Sequence, residues 1–137
     1  MLCYYTSEMS CPYFYPTESR GGSALFPLGD RWAGLCHTEP EQPAEPGDAK
    51  CCNLGYARGQ CARFPDTAGP DAVRFTIAHD DAIGVRLYYV LERDHQPFAH
   101  GPLEYSFERG FSPRPEPLLE RQALAYVESF RRRKGAA

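Results

Sequence analysis

The sequence predicts an α+β fold in which an irregular, cysteine-rich N-terminal half precedes an antiparallel sheet and a C-terminal helix. Three observations carry this prediction. All six cysteines lie in the first half, apolar residues alternate along three segments of the second half, and an apolar stripe with helical spacing follows them. The 137 residues fit a single domain, 1–137, large enough to bury a core without cross-links. We divide it into a metal-binding region, 1–70, and a sheet-and-helix region, 71–137.

The first region contains many prolines, which limit its regular secondary structure. They disfavour any long helix or strand there, and they stand at Pro12, Pro16, Pro27, Pro40, Pro43, Pro46, Pro65 and Pro70. The acidic, proline-rich stretch from Glu39 to Asp48 has the composition of an exposed loop. A short helix is predicted to follow, with Asp48 as its N-cap and Gly59 near its end.

The second region has the alternation that is typical of half-buried strands. Apolar side chains occupy every second position from Val73 to Ile77, from Ile83 to Leu91 and from Leu103 to Phe107. Turn-forming residues separate these segments, at 80–81 and at 93–97. Because the connections are short, we predict a three-stranded antiparallel meander.

A C-terminal amphipathic helix is predicted from Pro117 to Lys134, after the proline-rich joint 112–117. Its apolar positions recur at spacings of three and four, and they are expected to cover a face of the sheet: Leu119, Ala123, Tyr126, Val127 and Phe130. The basic run Arg131–Lys134 is interpreted as a solvated helix end, which the helix dipole favours, rather than as a nucleic-acid contact.

Whether closely spaced cysteines form disulfides or bind a metal depends on the redox state of the cellular compartment. The N-terminus lacks the basic and apolar segments of an export signal, and no segment is apolar enough to span a membrane. We therefore expect a soluble, cytoplasmic protein whose thiols stay reduced. The net charge of −3 gives no reason to expect a nucleic-acid partner.

Three chemistries compete for the six cysteines. Disulfides need an oxidising compartment, and adjacent Cys51 and Cys52 would have to serve different bridges or form a strained one. Structural zinc is usually held by closely spaced ligand pairs, and no C-x2-C pair occurs. His37 beside Cys36 could complete a mixed zinc set, although neighbouring side chains seldom point at one small ion.

A [4Fe–4S] cluster is larger, and its four irons accept thiolates from different directions. We predict Cys11, Cys36, Cys52 and Cys61 as the ligands, with Cys51 as the substitute for Cys52 and Cys3 as a spare. Aromatic residues near these cysteines in sequence would limit access of water and oxygen: Tyr13, Phe14, Tyr15, Trp32, Tyr56 and Phe64.

These residues favour a small iron–sulfur protein that acts in electron transfer or in redox or oxygen sensing, together with a protein redox or regulatory partner. The alternative is a structural zinc-binding interaction module without redox activity. An isolated enzyme is the least favoured class, because the sequence has no nucleophile elbow, phosphate-binding glycine loop or H-E-x-x-H motif.

Overall fold

The computed structural model describes residues 10–20, 28, 30–37, 42–44, 64, 69–94 and 96–136. These residues form two antiparallel sheets and a C-terminal helix. The first sheet contains β1 (Phe14–Ser19), β2 (Trp32–Cys36) and β3 (Gln42–Ala44). The second contains β4 (Ala72–Asp80), β5 (Gly84–Arg93), β6 (Gln96–Ser106) and β7 (Gly110–Ser112). Helix α1 spans Pro117–Ala136.

The second sheet is a meander in which each strand lies antiparallel to the next one in the chain. Its first three strands contain most of the segments in which apolar residues alternate, but Ile83 and Phe107 lie just outside the strands. The sheet also has four strands where the sequence predicted three. The fourth strand, β7, has only three residues, too few to show a period of two. It follows a turn in which Ser106 Oγ accepts from the amides of Glu108 and Arg109, and Gly110 takes a positive φ of 84°.

The first sheet corrects the prediction of an irregular N-terminal half. Its strand order is β1-β2-β3, so both proline-containing strands are edges. Pro16 lies in β1 opposite Gly34, and Pro43 lies in β3 opposite Leu35. Proline is tolerated in an edge strand because its missing N–H need not serve a neighbouring strand. The helix predicted to begin after Asp48 lies outside the described residues.

One hydrophobic cluster combines both halves of the chain. The first sheet supplies Phe14 and Trp32, and the second supplies residues such as Val73 and Leu87. Helix α1 supplies most of the predicted stripe, but Phe130 is only partly buried and lies outside the cluster. In that stripe Leu119, Ala123 and Val127 are buried, and the Tyr126 ring stacks on Phe75 with centroids 5.6 Å apart. The helix therefore packs against both sheets.

Two further contacts attach the beginning of the first sheet to the rest of the molecule. Ser10 and Val73 exchange backbone hydrogen bonds of 2.9 Å, which adds an isolated antiparallel bridge to β4. The Arg121 side chain donates to the backbone carbonyls of Pro16 and Thr17 in β1. In the part of the chain described by the structure, no helix has the length and apolar character needed to cross a membrane.

The basic end of α1 contacts the protein itself. The Arg131 guanidinium lies 3.8 Å from the centroid of the Phe107 ring. Arg132 pairs with the buried carboxylate of Asp30, and Lys134 pairs with Asp80 at the end of β4. These contacts hold the last turns of the helix against both sheets.

Candidate metal centre

Two of the predicted ligands, Cys11 and Cys36, lie at the same end of the β1–β2 hairpin. Cys36 ends β2 directly opposite Phe14, the first residue of β1. Cys11 lies in the turn that enters β1, and its carbonyl accepts a 3.2 Å hydrogen bond from the amide of Phe14. The amide of His37 donates to the carbonyl of Tyr13 at 2.8 Å, which adds one more backbone hydrogen bond between the two segments at this end of the hairpin.

Local sequence explains the turn at Cys11. The hydrogen bond from Phe14 to Cys11 spans four residues, so Cys11 to Phe14 form a β-turn with Pro12 in the second position. Proline suits that position because its ring fixes φ near the value that the turn requires. The turn therefore sets where Cys11 stands relative to the end of β2.

Helix α1 also contacts this turn, through the side chain of Gln122. The Gln122 side-chain amide donates to the carbonyl of Cys11 at 3.0 Å and to that of Phe14 at 2.7 Å. Gln122 is only 1% exposed, so these hydrogen bonds are shielded from water. Gln122 was not among the residues predicted from the sequence. The available signal was its position three residues after Leu119 and next to Ala123, inside the apolar stripe of the helix.

Both cysteines are buried, with Cys11 5% exposed and Cys36 8% exposed. Some of the aromatic residues that the sequence associated with them lie in the core, because Phe14 and Trp32 are almost fully buried. Others pack beside it: Tyr13 and Phe64 meet edge to face, with centroids 5.4 Å apart and an interplanar angle of 84°. Tyr56 lies outside the described residues.

The ring of His37 lies away from Cys36. Residues paired across two strands present their side chains on the same face, so Cys36 shares the buried face of the hairpin with Phe14. The next residue in β1, Tyr15, points to the other face, and the His37 ring stacks on it at 4.7 Å and 10°. The two neighbours, Cys36 and His37, are therefore poorly placed to share one small ion.

A buried hydroxyl belongs to Ser10, the residue that precedes Cys11 in the sequence. Ser10 is fully buried, its backbone is paired with Val73, and its Oγ has no hydrogen-bond partner in the structure as described. A buried polar atom without a partner is uncommon in folded proteins and calls for an explanation. Ser10 was not predicted as a site residue, because a single serine before a cysteine forms no recognisable sequence pattern.

The other predicted ligands, Cys52 and Cys61, lie outside the described residues, as do Cys3 and Cys51. Within the described ranges, no three or more His, Cys, Asp or Glu side chains come together in a way that could hold a metal ion. These ranges contain two of the four predicted ligands, Cys11 and Cys36.

Comparison with protein-family models, with curated proteins and with solved structures finds no match for this chain. The residues of the chain itself therefore carry any functional assignment.

Proposed function

We propose that this chain is a small iron–sulfur protein that holds a [4Fe–4S] cluster through Cys11, Cys36, Cys52 and Cys61. In this proposal the cluster passes single electrons to a protein partner or senses redox state or oxygen. The observation that carries the proposal is the burial of Cys11 and Cys36 at one end of the β1–β2 hairpin.

The two described cysteines suit a cluster because they come from different backbone segments. Cys11 belongs to a turn and Cys36 ends a strand, so their thiolates can approach a cube-shaped cluster from different directions. Phe64, which packs on Tyr13, stands three residues after Cys61 in the sequence. Three residues of chain span at most about 11 Å, a length compatible with Cys61 as a further ligand.

The unpartnered hydroxyl of Ser10 also supports a cluster. Sulfur atoms of iron–sulfur clusters accept hydrogen bonds from the surrounding protein, and these bonds help to set the reduction potential. A cluster bound by Cys11 would offer such an acceptor beside Ser10. This would satisfy a buried group that has no partner among the described residues.

Four thiolate ligands would leave no iron open to a substrate, which favours electron transfer or sensing over catalysis at the metal. The buried aromatic ring of Phe14, which pairs with Cys36, would restrict access of water and oxygen to the cluster. Both features support a redox role more than a substrate-binding role.

Anaerobic purification followed by iron, sulfide and zinc analysis tests the proposal. We expect brown protein with broad absorption near about 400 nm and matching amounts of iron and sulfide. Colourless protein with one zinc per chain would replace the proposal with the structural zinc module. Metal-free protein whose cysteines do not react with thiol reagents would point to disulfides instead.

Single serine variants test the ligand set. Replacing Cys11, Cys36, Cys52 or Cys61 should each lower the iron and sulfide content, whereas the control Cys3→Ser should keep both. Circular dichroism shows whether each variant still folds. Full iron content in Cys61→Ser would disprove this ligand set. Ser10→Ala should keep the cluster and lower its reduction potential, because a hydrogen bond to sulfur stabilises the reduced, more negative state.

A further inference from the structure

A pocket of about 740 Å³ opens between β1, the β6–β7 hairpin and the first turns of α1. This volume lies in the range of known small-molecule sites. Its lining combines three aromatic rings, Tyr15, Tyr105 and Phe111, with three charged side chains, Arg114, Glu120 and Arg121. Neither of the two described cysteines, Cys11 and Cys36, belongs to the lining.

Arg121 places a fixed positive charge in this pocket. Its Nε donates to the carbonyl of Pro16, and its guanidinium also donates to the carbonyl of Thr17 at 3.2 Å. Carbonyl oxygens orient the guanidinium but do not neutralise it. No carboxylate of the described residues pairs with Arg121, so its charge is available to an anion.

The second arginine of the pocket, Arg114, pairs with Glu120 through its Nε atom. Arg114 Nε lies 3.1 and 3.3 Å from the two carboxylate oxygens of Glu120, and the Arg114 side chain is 80% exposed. Among the described lining residues, two arginines and one glutamate give a net charge of +1 (2 − 1). The pocket therefore attracts an anion more than a neutral or cationic ligand.

The aromatic residues determine the shape of ligand that fits. Tyr105 and Phe111 pack on each other with centroids 4.8 Å apart and an interplanar angle of 52°. Tyr15 contributes a third ring, held in place by its stack on His37. Rings gain contact area from flat, apolar groups at little cost in conformational entropy.

We propose that this pocket binds a small aromatic carboxylate, with the ring against Tyr105 and Phe111 and the carboxylate at Arg121. The proposal does not depend on a metal at the cysteines, because neither Tyr105, Phe111 nor Arg121 is a predicted metal ligand.

The proposal is tested by measuring the binding of 2-naphthoate to the full chain. Calorimetry gives the affinity, and changes in amide chemical shifts in NMR spectra give the location of the site. Two matched compounds separate its parts: 2-naphthamide keeps the rings without the charge, and acetate keeps the charge without the rings. We expect saturable binding of 2-naphthoate, at least about tenfold weaker binding of 2-naphthamide, and no saturable binding of acetate. Equal affinity for the naphthoate and the amide would overturn the proposal, as would amide shifts confined to residues outside the pocket.

Variants of the lining locate the site. Arg121→Gln removes the charge and keeps an amide donor for the carbonyls of β1, and we expect it to weaken 2-naphthoate binding at least about tenfold. Phe111→Leu should weaken binding without removing any charge, so it tests the site even if Arg121→Gln fails to fold. The control is Arg133→Gln, in the last turn of α1, which should bind like the original protein. Unchanged affinity in Phe111→Leu, or an equal loss in Arg133→Gln, would disprove the site.

Discussion

The side-chain amide of Gln122 donates to the backbone carbonyl of Cys11 at 3.0 Å, across 111 residues of sequence. The same nitrogen donates to the carbonyl of Phe14 at 2.7 Å. One buried glutamine thus satisfies two carbonyls of the turn that carries a predicted ligand. The C-terminal helix is therefore part of the support for the cysteine-rich end of the molecule.

Gln122→Met should destabilise the protein by about 2–4 kcal/mol. Methionine has a similar length but no N–H groups, so the carbonyls of Cys11 and Phe14 would lose a shared donor in a buried site. Chemical denaturation measures the free energy of unfolding. The control Gln96→Met, at an exposed position in β6, should change it by no more than about 0.5 kcal/mol. Equal stability of the two variants would show that the buried hydrogen bonds contribute nothing.

The β1–β2 hairpin depends on a glycine at its centre. A Cβ built on Gly34 would lie 2.0 Å from the carbonyl oxygen of Tyr15 and 2.9 Å from the Cα of Pro16. Both atoms belong to the backbone of β1, so they cannot move aside without separating the strands. Gly34→Ala should therefore cost at least about 3 kcal/mol in unfolding free energy or prevent folding.

Gly69→Ala is the matched control for Gly34→Ala. Among the described residues, a Cβ on Gly69 would meet the hydroxyl of Tyr13, at an ordinary contact distance of 3.5 Å. We expect its thermal midpoint to remain within a few degrees of the original, about the shift that 0.5 kcal/mol produces. A Gly34→Ala protein as stable as Gly69→Ala would contradict the close approach of β1 and β2.

The second half of the chain could be predicted from sequence because its elements are long and regular. The period of two around Val73 and Leu87 and the helical spacing after Pro117 are local signals, and each corresponds to an element of the structure. Strand β7 was missed because three residues, Gly110–Ser112, do not display a period.

The first half could not be predicted in the same way, because its strands depend on position in a sheet. Pro16 and Pro43 argue against strands when they are read locally, yet both are acceptable at the edges of a sheet whose centre is β2. The contact between Gln122 and Cys11 depends on the tertiary fold and has no local signal. The prediction that Cys11 and Cys36 bind one metal stays a prediction; the structure places both residues at the same end of the β1–β2 hairpin.

Ser129 links two buried side chains from the first half of the chain. Its Oγ donates to Asp30 at 2.7 Å and accepts from Trp32 Nε1 at 3.3 Å, and Ser129 itself is fully buried. Ser129→Ala should lower the unfolding free energy by about 1–3 kcal/mol, because a buried carboxylate and a buried indole each lose a partner. Trp32 is the only tryptophan in the chain, so its fluorescence reports on this site during denaturation.

Glu128→Ala is the control for Ser129→Ala, because it places an alanine at the neighbouring, exposed position of α1 without removing the hydrogen bonds of Ser129. It should leave both the stability and the Trp32 emission maximum almost unchanged. If Ser129→Ala shows the same emission and stability as Glu128→Ala, the hydrogen bonds to Asp30 and Trp32 have no measurable role.

The turn between β4 and β5 is stabilised by an ionised carboxylate. Asp81 Oδ1 accepts from the amides of Ile83 at 2.9 Å and Gly84 at 3.0 Å. These backbone hydrogen bonds are the main cause of a pKa of Asp81 below its ordinary value of 3.8, and the nearby His79 adds a smaller effect in the same direction. Because the pKa is lower in the folded state, ionised Asp81 stabilises the fold above pH 3.8, and this contribution is lost as the pH falls through the folded-state pKa.

Asp81→Asn should therefore be less stable than the original protein at neutral pH, and the difference should shrink in acid. Asparagine can still accept hydrogen bonds from Ile83 and Gly84, but without the negative charge that strengthens them. Denaturation of both proteins near about pH 7 and about pH 2 measures the change, and NMR titration of the Asp81 carboxyl gives its pKa directly. A pKa of Asp81 at or above 3.8, or a stability difference that grows in acid, would contradict this role for the turn.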